Sequence, residues 1–314
     1  MTSKSTHHNA SEYIAPLNMN GLQGRMLHLP PPPKHKTREF LVLYGHHALL
    51  ERWWSLVQNF NEFGAVTMPD MPGFGGMDSF YKIGKRPTID NLADYLASFI
   101  KLRYKRRRVV IVGISFGFVV ATRMLQRYPD LAKRVDFVIS AAGFTHHDDF
   151  SFSRPRMIAY RIISRVVAWP IVWRIFRVVC LNSWVLRKAY SHTHTAKHKF
   201  AEVSTMPDKF AAMMDIEIKL WHANDVRTHW VTTNEFLRLD NCDKRIHLPV
   251  WDVHTTTDQY FNNRIVEQHM RIIFDEYESA PVNMKHHVVS VLADKKETAV
   301  LVPPKLRRYL NKTA

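Results

Sequence analysis

Arg108-Val-Val-Ile-Val-Gly113 is a β-branched run without polar alternation, and it leads directly into Gly113-Ile-Ser-Phe-Gly117. A strand apolar at consecutive positions is buried on both faces, the situation of a central strand in a parallel sheet covered by helices. A helix is expected immediately afterwards, over Phe118–Gln126. A sharp strand-to-helix turn forces its serine into a strained backbone conformation, and the two flanking glycines supply the room that turn needs. The hydroxyl of Ser115 is then exposed above the strand ends. The N–H of Phe116 lies at a helix N-terminus, where it can stabilise an oxyanion. A bare G-x-S-x-G is also compatible with a turn that merely caps a helix; the strand before it and the helix after it favour the nucleophile.

Alternation of strand-like and helix-like segments on either side extends the argument to the whole chain. Short strands are expected over Arg25–Leu29, Glu39–Tyr44, Gly64–Met68 and Val135–Ser140, with helices over Leu49–Phe60 and from the Thr88 cap to Tyr104. The alternation stops at Phe144 and resumes with a helix near Thr232–Leu239, a strand near Leu248–Val253, a helix over Asn262–Phe274 and a last strand near Ala280–Met284. The expected organisation is an α/β core over 1–143 and 231–314, interrupted by a helical insertion over 144–230. Its sheet is mostly parallel and flanked by helices.

Several further segments match one family in order: Leu43-Tyr-Gly-His-His47 with Trp53 and Trp54 downstream, Pro69-Asp-Met-Pro-Gly-Phe-Gly75, Gly113-Ile-Ser-Phe-Gly117, Tyr128-Pro-Asp130, and Pro249-Val-Trp-Asp-Val-His254 followed by Asp258. On these the chain resembles the α/β-hydrolase-fold proteins, in particular the lidded serine esterase, lipase-like and epoxide-hydrolase-like group. The resemblance implies a serine nucleophile followed in chain order by an acid and a histidine. It puts the acid at Asp258, in the loop after the strand ending near Val253, and leaves Asp252 a structural residue. It puts the histidine in Lys285-His-His-Val-Val-Ser290, with His287 preferred to His286. It also makes the backbone N–H of His46 a second oxyanion donor beside that of Phe116, although Tyr44 replaces the histidine usual before this glycine. Epoxide hydrolases of the group carry aspartate where this chain has Ser115, so the resemblance implies acyl chemistry at a catalytic Ser115, Asp258 and His287. No cofactor is implied, and no dinucleotide fingerprint or glycine-rich phosphate loop occurs.

Charge narrows the partners. Lys+Arg number 44 against 28 Asp+Glu, a formal excess of +16. The acid-free run Lys101–Arg108 and the acid-free stretch from Phe150 to Ala201, with ten Lys+Arg, hold all of it. The first run complements a helix C-terminus and reads as a solvated face. In the second, arginines interleave with isoleucine, valine and tryptophan too often for a membrane-spanning helix, and Pro170 divides the apolar run. Two readings follow: an amphipathic lid meeting anionic lipid headgroups, or a lid packed on the core with a solvated basic face, the second being the simpler. Either suits a hydrophobic substrate. No nucleic-acid partner is expected, since the remaining charges balance.

His192-Thr-His-Thr-Ala-Lys-His198 and His146-His-Asp-Asp149 carry imidazoles but no thiolate, so a metal site is not expected. Two cysteines, Cys180 and Cys242, exclude a disulfide framework, and no apolar stretch follows the first residues. A cytoplasmic protein, or one peripheral to a membrane, is expected. The activity expected is cleavage of an ester or related acyl bond. The same triad also serves acyl transfer, carbon–carbon bond hydrolysis and perhydrolase chemistry, and a non-catalytic protein binding anionic surfaces is the alternative from another class.

Overall fold

Val109–Ile114 is buried at every position, so both of its faces need cover, and the rest of the fold supplies it. The computed structural model describes residues 9–32, 38–192, 207–284, 287 and 293–312. Its strands are Ile14–Met19 (β1), Leu22–Leu29 (β2), Glu39–Leu43 (β3), Ala65–Pro69 (β4), Val109–Ile114 (β5), Val135–Ala141 (β6), Ile246–Thr255 (β7) and Phe274–Val282 (β8). They form one 8-stranded sheet in the order β1-β2-β4-β3-β5-β6-β7-β8. β1 and β2 are antiparallel to their neighbours, and every pairing from β4 through β3, β5, β6 and β7 to β8 is parallel.

The helices are Trp54–Asn61 (α1), Ile89–Tyr104 (α2), Phe116–Arg127 (α3), Pro129–Ala132 (α4), Arg154–Val167 (α5), Val172–Val179 (α6), Ser183–His192 (α7), Pro207–Ala223 (α8), Val226–Phe236 (α9), Asn263–Ile273 (α10), Lys295–Thr298 (α11) and Pro304–Lys312 (α12). Phe60 of α1 meets Phe40 of β3, Phe118 of α3 stacks with Phe274, and Tyr309 of α12 meets Phe137 and Trp251. Thr88 caps α2 by accepting the Asn91 N–H, as its position before an apolar periodic run predicts. Between β6 and β7 the regular elements among the described residues are helices, with isolated bridges at His146 and Phe150. None of the described helices is long and apolar enough to cross a membrane.

Three expectations shift. β1 is a strand the residue pattern does not reveal, because an edge strand carrying Pro16 and Asn18 has little apolar periodicity. Its hairpin signal was nonetheless present: Asn20 and Gly21, with φ of 54° and 79°, make the tight turn into β2. The last strand is not Ala280–Met284 but Phe274–Val282, beginning where α10 ends. Asp275, Glu276 and Glu278 disguise it, since an edge strand turns them to solvent, where Arg245 and Lys305 pair with Asp275 and Glu278. The helix expected near Thr232–Leu239 is α9, which starts earlier because Asp225 caps it.

The parallel strands all end at one edge of the sheet. Gly45, Ser115, Ala142, the loop after β7 and the segment after β8 therefore converge there, as crevices outside strand C-termini generally do.

Candidate active site

Ser115 is the first residue after β5 and precedes α3, with φ 47° and ψ −113°. Its own N–H donates to the Ala141 carbonyl at 3.0 Å, and its carbonyl accepts from the Phe118 N–H at 3.0 Å. The glycines are needed for a measurable reason. A Cβ at Gly113 would lie 2.4 Å from Phe118 Cα, and one at Gly117 would lie 2.3 Å from the Leu43 carbonyl oxygen. The turn is therefore wedged between α3 and the end of β3, and only residues without side chains admit so close an approach.

Two other loops complete the geometry. His287 Nε2 lies 3.3 Å from Ser115 Oγ, and His287 Nδ1 lies 2.6 Å from Asp258 Oδ2. Asp258 follows β7, and its other oxygen accepts from the Tyr260 and Phe261 N–H groups at 2.8 and 3.2 Å. Burial pushes the Asp258 carboxyl up, but the His287 hydrogen bond and charge, with the two backbone donors, outweigh it and hold the carboxyl below its ordinary value. An ionised Asp258 only accepts, so Nδ1 carries the proton and a neutral ring presents its bare Nε2 to the serine. The structure thus brings together Ser115, Asp258 and His287. His286 lies outside the described residues. Asp252 is elsewhere: its carboxylate engages Ser140, His254 and Tyr277.

Gly45 holds the loop after β3 against the turn, since a Cβ there would stand 3.4 Å from that of Ser115. The next residue is His46, and neither its N–H nor that of Phe116 has an acceptor among the described residues. Tyr44, the departure from the usual pattern, is fully buried; it donates to Asp70 at 2.9 Å and accepts from the Met71 N–H at 3.1 Å. Burial raises the Asp70 carboxyl to about 7 despite the neighbouring Arg25.

Residues beyond the expected set line this region, and α9 supplies most of them. His46 Nε2 lies 2.8 Å from Thr232 Oγ1. That hydroxyl already donates its proton to the Thr228 carbonyl at 2.8 Å, so Nε2 is the donor of the pair. Burial, then the charges of His229 and His47, keep the His46 imidazole well below its ordinary value. Burial alone takes His229 down to about 3. The two rings lie 4.2 Å apart, and Phe74, Phe116 and Phe236 surround His46 at 5.2 to 5.3 Å. Tyr260 and Phe261 flank His287. No local motif marks Thr232, His229 or Phe236; the apolar periodicity of α9 was the available signal, and it says nothing of which partner the helix meets.

His146, His147 and Asp148 offer ligand atoms within 4.8 Å of one another. They are employed in the turn itself: His146 Nδ1 accepts the Asp148 N–H, and His147 Nδ1 donates to the Leu239 carbonyl. Residues 193–198 of the other histidine run lie outside the described residues.

A family model described as "Serine aminopeptidase, S33" matches residues 35–285. Among solved structures, the chain is similar to a thermophilic esterase from Thermogutta terrifontis, at 14% identity over 95% of this chain and 97% of that one, TM-score 0.64. It is similar to an epoxide hydrolase at 14% identity over 96% and 100% of the two chains, TM-score 0.64. An N-acyl homoserine lactonase matches at 12% identity over 96% and 95%, TM-score 0.62. No curated protein matches the chain. At such identities the structural likeness bears on the fold alone.

Proposed function

The chain belongs to the serine aminopeptidase S33 family of α/β-hydrolases, and from that premise we propose a cofactor-independent serine hydrolase that cleaves an ester or related acyl bond of a substrate with a hydrophobic part. The observation that carries this reading is the hydrogen-bonded chain Ser115–His287–Asp258, at 3.3 and 2.6 Å.

In this mechanism Ser115 Oγ attacks the substrate carbonyl carbon while His287 Nε2 takes its proton. The N–H groups of His46 and Phe116 stabilise the oxyanion. Asp258, kept ionised by its donors, orients the imidazole and stabilises its cation. Collapse of the tetrahedral species expels the alcohol, which takes the proton from His287. Water, deprotonated by the same nitrogen, then releases the acid and returns Ser115. The phenyl rings and neutral imidazoles around the site suit an apolar acyl or alkyl group better than an ammonium. The helices between β6 and β7, over 144–230, serve in this reading as a lid whose α9 covers the nucleophile.

A fluorophosphonate probe is expected to label Ser115, and a panel of p-nitrophenyl esters of increasing acyl length is expected to be hydrolysed. Ser115→Ala should lose labelling and lower turnover by about 10⁴-fold or more. Equal turnover in that variant, or unlabelled folded protein, would sink the proposal and leave a non-catalytic binding role. Asp258→Asn should lower kcat by about 10⁴-fold with KM little changed, because the wrong imidazole tautomer then faces the serine. Retained activity in His286→Ala and lost activity in His287→Ala would assign the base. Product analysis with added alcohol separates hydrolysis from acyl transfer.

A further inference from the structure

Thirteen large apolar side chains are exposed among the described residues, and ten of them fall between Ile158 and Trp184. Along α5 they stand at Ile158, Ile162 and Val166 and continue to Trp169, one stripe at helical spacing. Along α6 the stripe is Ile171, Ile175 and Val178, with Ile171 70% and Val178 75% exposed. Trp184, 67% exposed, extends it onto α7. Core packing does not account for this face. The inward residues Trp173 and Phe176 already pack with Leu181, Leu186 and Val226 in a separate small core.

Cations are interleaved with the stripe. Arg187 reaches Asp215 at 2.5 Å, whereas Arg154, Arg165, Arg174 and Arg177 have no carboxylate partner among the described residues. At Trp169 and Pro170 the face opens into a cleft of 610 Å³ lined by Lys85, Arg86, Arg165, Arg227 and Arg238, with no acidic residue in its lining. The Arg227 guanidinium is propped over the Tyr81 ring at 3.9 Å.

We propose that the α5–α7 face is a docking surface for an anionic lipid bilayer. The isoleucines, valines and tryptophans enter the boundary between headgroups and acyl chains, while the arginines and the basic cleft beside Trp169 hold lipid phosphates. Charge selects this occupant. A bilayer bearing anionic headgroups satisfies both the apolar stripe and its cations. A second copy docked on the same face would set one acid-free basic surface against another and be repelled. Docking requires no chemistry at Ser115, so it stands or falls separately from the proposed hydrolysis.

The experiment is co-sedimentation of the full chain with vesicles of mixed phosphatidylglycerol and phosphatidylcholine, and with vesicles of phosphatidylcholine alone. Binding to the first, weak binding to the second and loss at high salt are expected. Each cation removed should weaken binding about five-fold, so R174Q/R177Q and the cleft variant R165Q/R238Q should each lose about 25-fold. I171N/V178N, altered only at exposed positions, should lose about ten-fold or more. S115A should bind as the parent does. Equal binding to both vesicle types, or parent-like binding by all three double variants, would overturn the proposal. So would full competition by inorganic phosphate at millimolar level, which would make the cleft a site for the free anion. A dimer in sedimentation equilibrium that I171N/V178N abolishes would assign the face to self-association instead.

Discussion

At Ser115 a non-glycine residue holds φ 47°, a conformation of the kind that persists only where its surroundings over-determine it. Gly113 and Gly117 do that by letting α3 and β3 close on the turn. The other decisive residues here are imidazoles that stay uncharged. His46 and His229 face each other at 4.2 Å with His47 beside them, Thr232 on the His46 nitrogen, and aromatic rings around. Both have folded-state values depressed by burial, His229 to about 3. A depressed value means that the unfolded chain takes up the proton first. The stability these rings contribute is therefore full above about 6.5 and is lost as pH falls toward the folded value. The melting temperature is expected to drop on acidification through that window, and His229→Phe should flatten the drop. An acid limb of unchanged slope in the variant would count against the assignment.

Among the elements, α9 links the most parts of the site. Its N-cap Asp225 accepts the Thr228 N–H at 2.7 Å. Thr232 holds His46, and Glu235 accepts the Ile89 N–H at the start of α2 at 2.8 Å. One helix thus ties the loop after β3 to the helix before β5. Asp225→Ala is expected to cost about 1 kcal/mol of stability, the usual worth of such a cap. Chemical denaturation would measure it. Ester turnover should fall too, since the helix whose start frays carries Thr232 and His229; unchanged turnover would show that α9 does not position the site. The edge strands make the opposite point. β1 and β8 are long but half solvated, and their charged and polar residues hide them from any reading based on apolar runs.

On the scale of the molecule, two apolar clusters stand out among the described residues: the large one around the sheet and the small one of Leu181, Leu186 and Val226, supported by Trp173, Phe176, Ile218, Trp221 and Trp230. Fewer buried contacts mean cheaper local opening. In native-state hydrogen exchange the amides of α6 should exchange well before those of β5; equal protection would mean that the two clusters open as one. The charge is segregated as well. Lys101–Arg108 precedes β5, so it lies at the sheet edge opposite Ser115, where Arg107 and Arg108 pair with Glu39 and Asp136. The cations of α5 and α6 have no such carboxylate partners among the described residues. A single total of +16 therefore describes two surfaces with different chemistry.

The fold class and the strained turn at Ser115 were legible in the sequence because their causes are local. A doubly buried strand needs consecutive apolar residues, and a strained turn needs glycines on both sides of its serine. Asp258, His287 and His46 were reached only through resemblance, since nothing within a few residues of Asp258 or His287 says that they meet; 29 residues separate them. Tertiary structure alone decided the rest. It put Thr232 on His46 across 186 residues of chain, left the helices after β6 with an apolar face turned to solvent, and seated β1 and β8 at the edges of the sheet. The reason is that pattern records how much of a residue is buried. Which element does the burying is decided by long-range contacts, and periodicity carries no record of them.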